Sequence, residues 1–165
     1  MTSDHDHDQG QPGPMSPRLA LVLSTATFFA LAIFALGMTS LLLDESVIAE
    51  PGLGQIPGIL AMAGATLAFL LTLRPGIRRP QPGYAPALWT ALACFLAYPL
   101  IAAFGVLFVG GELGIASAVV FRHVTGWFGL VVAASALVAA AAGIALVRTR
   151  GGRAQWPWER EQDDE

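Results

Sequence analysis

The chain has 165 residues and a mass of 17.3 kDa, enough for one ordinary domain, yet 55% of its residues are hydrophobic, only 13% are charged and the mean hydropathy is +0.60. A water-soluble domain puts charge on about a quarter of its residues, so this composition excludes a surface that faces water throughout and specifies an integral membrane protein. Nine arginines and no lysine stand against 12 acidic residues, a net charge of −3, which excludes the sustained basic surface of a nucleic-acid binder.

The chain opens on residues 1–17, with three prolines, two glycines and the acidic-histidine run Asp4 to Asp8. Carboxylate and imidazole alternate there as in weak transition-metal binders, but the run has no scaffold to fix ligand geometry. A disordered acidic tail is the expected form, and no metal is assigned.

Four apolar runs follow at 19–43, 56–73, 85–109 and 124–147, of 25, 18, 25 and 24 residues, and none contains a charge. At 1.5 Å per residue each reaches across a hydrocarbon core of about 30 Å, the second only just. Backbone polar groups in lipid must be satisfied within the segment, and the alternation of a membrane barrel is missing. The expected fold is therefore all-α: an integral membrane bundle of four transmembrane helices over residues 18–150. The first run has an acidic flank and is too long for a signal peptide, so it is expected to remain as an uncleaved helix.

The connections are short. Residues 44–55 carry Pro51, Gly52 and Gly54, and Pro57 falls in the first turn of the second helix, where its missing N–H costs nothing. Residues 74–84 hold Pro75, Pro80 and Pro82 and are expected to form a basic turn rather than helix. Gly110-Gly111 ends the third helix, and the apolar stretch 113–121, too short to span, reads as a short interfacial helix between the third and fourth spans. The last residues, 151–165, form a flexible tail in which Arg148, Arg150 and Arg153 meet headgroups beside Trp156-Pro157-Trp158, and a run of acids projects into the cytoplasm.

Arginine placement sets the orientation. Arg18, Arg74, Arg78, Arg79, Arg148, Arg150, Arg153 and Arg160 lie on one side and only Arg122 on the other, a count of 8 to 1. Under the positive-inside rule both termini are cytoplasmic, in a multi-pass protein of the plasma membrane.

Four sets of residues are weighed for function. On the face opposite the termini, Asp44, Glu45, Glu50, Glu112, Arg122 and His123 gather titratable groups able to bind a divalent cation or do acid–base work. A solvated rim is the simpler reading, with His123 an interfacial anchor between Arg122 and Trp127. In the third span Pro99 removes the backbone bond to the carbonyl of Phe95 and is expected to kink the helix, a hinge being the functional alternative. In the fourth, Gly126, Gly129, Ala133, Ala136, Ala140 and Gly143 form a thin face opposite Trp127, Leu130, Leu137 and Ile144. Such a stripe suits packing within the bundle, with a homo-oligomer interface as the alternative. The hydroxyls of the first span (Ser24, Thr25, Thr27, Thr39 and Ser40) either line a path or bond back to their own helix.

No span contains the ionisable residue on which proton-coupled transport depends. Small multidrug exporters also have four helices, but they rely on a glutamate buried in the first; here Asp44 and Glu45 sit at its end. No nucleophile elbow or phosphate-binding motif is present, and no catalytic residue or cofactor is assigned. The expectation is a non-enzymatic accessory or scaffold protein whose partners are the lipid bilayer and other membrane proteins, with a small channel or transporter subunit as the alternative.

An acidic stub, Gly37-Met38-Thr39-Ser40-Leu41-Leu42 running into Asp44 and Val47-Ile48-Ala49, four spans, and a final Trp156-Pro157-Trp158-Glu159 together give a recognisable pattern. It resembles a family of small actinobacterial membrane proteins grouped as a domain of unknown function, a likeness that covers nearly the whole chain and implies no activity.

Overall fold

A computed structural model describes residues 16–44, 55–78 and 83–151. Among the described residues the protein is all-helical, with α1 (Pro17–Leu43), α2 (Ile56–Ile77), α3 (Ala85–Phe108), α4 (Leu113–Thr125) and α5 (Trp127–Gly151). Four helices are long and apolar enough to cross a membrane: α1, α2, α3 and the stretch Trp127–Thr149 of α5. The short helix expected between the third and fourth spans is α4.

Local chemistry fixes the helix ends. Ser16 precedes α1 in an extended conformation, and its hydroxyl accepts from the N–H of Leu19 at 3.3 Å, while Pro17 takes the first position. At the far end Asp44 turns left-handed, with φ 49°, and its N–H donates to the carbonyl of Ser40. The α2 helix runs on through Pro75 to Ile77, so the expectation of a turn from residue 74 is corrected. Pro75 sits in the last turn, where few intrahelical bonds remain to be lost, and Arg74 favours the negative end of the helix dipole. Gly76 then packs so closely on Pro86 that a Cβ would collide with it, and this contact holds the last turn of α2 against α3.

The spans run alternately up and down. Helix α2 packs chiefly on α3, α3 on α5, and α5 on α1, which closes the bundle. Phe28 of α1 stacks on Phe69 of α2, ring centroids 4.7 Å apart, and the core continues through Leu73, Phe128, Val132 and Ile144. Close approach depends on glycine: a Cβ at Gly105 would lie 2.8 Å from Cα of Pro57, and one at Gly143 would collide with the side chain of Ser24. Pro99 is buried within α3, which continues past it to Phe108.

On α5, Gly129, Ala136, Ala140 and Gly143 are buried, Ala133 is half-buried, and Trp127, Leu130 and Leu137 are exposed, while Gly126, also half-buried, lies just ahead of the helix as the cap of α4. Ile144 departs from the expected bulky outer face, being fully buried in the core. It follows Ala136 and Ala140 at intervals of four, which keeps it on their stripe.

Candidate functional site

The α3–α4 connection brings side chains together at the end of the bundle opposite the start of α1. The chain leaves α3 through Gly110, with φ 85°, and the N–H of Gly111 donates to the carbonyl of Val106 at 2.9 Å. Such a left-handed residue reverses the chain, and glycine adopts it without steric cost. Helix α4 then doubles back along α3. Gly110 follows Tyr98 by twelve positions, and His123 follows Gly111 by twelve. Two helical arms of about 18 Å bring those two side chains level.

Their rings lie 5.5 Å apart at a tilt of 45°, and the ring of Phe128 stands 6.2 Å from His123 on the other side. His123 is 3% exposed. Its Nδ1 lies 2.8 Å from the carbonyl of Val119, which assigns the proton to Nδ1 and leaves Nε2 as the lone-pair nitrogen. Nε2 is buried and has no hydrogen-bond partner among the described residues. Burial lowers the pKa of His123 below the usual 6.5, adjacent Arg122 lowers it further, and the bond to Val119 offsets part of this. The imidazole is therefore neutral at pH 7. The expected interfacial anchor is corrected to a buried residue, because α4 turns that face onto α3 and α5.

The remaining members of the titratable set do not gather round it. Asp44 at the end of α1 and Glu112 at the start of α4 are exposed, Arg122 is half-buried, and Glu45 and Glu50 lie outside the described residues. Neither nitrogen of His123 bonds to a carboxylate. Among the described residues no three His, Cys, Asp or Glu side chains could hold a metal ion together. The arrangement can accept one hydrogen bond and gain a charge in acid. Sequence spacing missed the Tyr98–His123–Phe128 grouping, although the equal arms about Gly110-Gly111 carry the signal.

The hydroxyls within the spans are turned inward on their own helices. Ser24, Thr25, Thr27 and Thr39 of α1 each donate to the carbonyl four residues back, at 2.6 to 2.8 Å. Thr66, Thr72, Thr90 and Ser135 do the same on α2, α3 and α5. At the other end of the bundle the guanidinium of Arg148 lies 5.2 Å over the ring of Tyr84, a cation–π contact. The expected headgroup anchor formed by Arg153, Trp156 and Trp158 lies outside the described residues.

Four long apolar helices around a small-residue core define a multi-pass helical membrane protein. The profile of DUF6121, a family of unknown function, matches residues 17–165, and the chain belongs to that family. No curated protein matches it. No solved structure matches it either.

Proposed function

We propose that the protein is a non-enzymatic accessory or scaffold component of a bacterial plasma membrane, with both termini in the cytoplasm, acting through its lipid-facing helix surfaces on other membrane proteins. The observation that carries this reading is the fate of the polar groups in the spans. The hydroxyls that would have to line a permeation path are bonded to their own helices, and the helices meet through Gly64, Gly105 and Gly143 with no room for a Cβ. Large side chains such as Phe34, Leu71, Trp89 and Phe104 face outward and offer contact area along the spans.

Crosslinking in native membranes followed by mass spectrometry, run beside an ion-flux assay on the purified chain in liposomes, tests the proposal. Reproducible crosslinks to a membrane protein with no flux are expected. Flux abolished by Thr27→Ala or Pro99→Ala, with no copurifying partner, would replace this reading with that of a small channel or transporter subunit.

A further inference from the structure

At the end of the bundle opposite α4, antiparallel α1 and α2 bring three guanidiniums to one cleft. Arg18 stands in the first turn of α1, and Arg74 and Arg78 stand one turn apart at the end of α2, on one face. They line a cleft of about 370 Å³ whose other wall is apolar, made by Leu21, Val22 and Ile77. Like charges one turn apart repel, and an arrangement of this kind calls for a shared counter-charge. The chain's described carboxylates, Asp44 and Glu112, lie at the far end of the helices and cannot supply it. The positive end of the α1 dipole adds to the same field.

We propose that this cleft binds the phosphate of an anionic glycerophospholipid headgroup. The cleft opens where α1 enters and α2 leaves the apolar span, which is the depth of the phosphate layer. Guanidinium forks pair with phosphate oxygens two at a time, and three of them suit a group with several acceptors. The volume is at the small end of ligand sites, the scale of a headgroup rather than a whole lipid. Exposed Val22, one turn into α1, continues the site with a surface for an acyl chain. Any protein partners of the lipid-facing surfaces would leave this site unchanged.

The test is lipid retention by the full-length chain in detergent, read by native mass spectrometry during titration with phosphatidylglycerol, phosphatidylcholine or inorganic phosphate. Phosphatidylglycerol is expected to bind in preference to phosphatidylcholine. Removing one guanidinium (R18Q, R74Q or R78Q) should weaken it about fivefold, and removing all three on the order of a hundredfold. The three side chains are exposed, so the fold should survive, and unchanged helicity by circular dichroism checks this. R148Q, a basic residue at the same end that does not line the cleft and whose guanidinium lies over the ring of Tyr84, should bind within about twofold of the parent, because an exposed charge outside the site contributes little. Equal loss in R148Q would reduce the effect to diffuse surface charge and overturn the proposal. So would full retention in R18Q/R74Q/R78Q, or equal binding of phosphatidylcholine. Displacement of the lipid by inorganic phosphate in modest excess would assign the cleft to a soluble phosphate instead. Retention that appears only in D4N/D6N/D8N would assign it to the chain's own acidic run.

Discussion

His123 places an imidazole where an apolar side chain would pack as well, between the rings of Tyr98 and Phe128. Its folded pKa is lowered from 6.5, chiefly by burial, so the unfolded chain takes up a proton at a higher pH than the folded one. Stability from this group is complete above the unfolded pKa and is lost as pH falls from there through the lower folded pKa. The apparent Tm in detergent should accordingly drop between about pH 7 and pH 5, and in His123→Phe the drop should be smaller. His5 and His7 are common to both proteins and cancel; parallel pH profiles would show that His123 is not the group responsible. A second pair of residues tests packing against propensity. A Cβ at Gly105 meets the backbone of Pro57, which cannot move aside, whereas one at Gly37 meets nothing within 4 Å. Gly105→Ala should cost about 1–3 kcal/mol through overpacking. Gly37→Ala should gain about 0.5–1 kcal/mol, because alanine loses less backbone freedom in a helix. Equal effects on thermal stability in detergent would refute the contrast.

Among the elements, α5 shows best how far the sequence can be read. Its length and apolar character identify a span, and the spacing of Gly129, Ala136, Ala140 and Gly143 identifies the side that meets its neighbours. Ile144 was not legible, because lipid and protein interior are equally apolar and a large aliphatic residue suits both. The break between the short helix and the last span was legible only approximately: the sequence divides 113–121 from 124–147 at Arg122-His123, whereas α4 runs on to Thr125 and Gly126 separates it from α5. Proline misled in the other direction at Pro75, since its effect depends on how many turns follow it. The candidate site was the least legible part, being assembled by a hairpin between α3 and α4 rather than by any motif. For α5 itself, Ala136 is fully buried while Leu137 is 40% exposed. Ala136→Leu should lower stability in detergent by about 1–3 kcal/mol. Leu137→Ala should change it by less than about 1 kcal/mol, since its lipid-facing carbon is replaced by lipid. Comparable losses in the two variants would mean that the faces are misassigned.

At the scale of the whole molecule, the four spans and their alternation put the start of α1 and the end of α5 on the same side, and in the orientation proposed above from the arginine count that side is the cytoplasm. A single-cysteine series checks this, with Cys94 replaced first because it is the chain's native thiol. A cysteine introduced at Ser46 should react with an impermeant reagent added from outside the cell; reaction from the cytoplasmic side alone would invert the topology.

Among the described residues the charges also lie at opposite ends of the bundle axis: Arg18, Arg74, Arg78 and Arg148 occupy one end, while Asp44, Glu112 and Arg122 occupy the other. An energised membrane acts on such a chain as a field acts on a dipole. Carrying one charge to the unfavourable side costs about 2.3 kcal/mol for each 100 mV; in the sequence the eight arginines on the terminal side are matched by eight acidic residues, so the bias comes from Asp44, Glu45, Glu50 and Glu112 set against Arg122 in the other connections. In the orientation proposed above the membrane potential itself favours the observed separation of charge, and a protein inserted while that potential is collapsed loses this electrical bias.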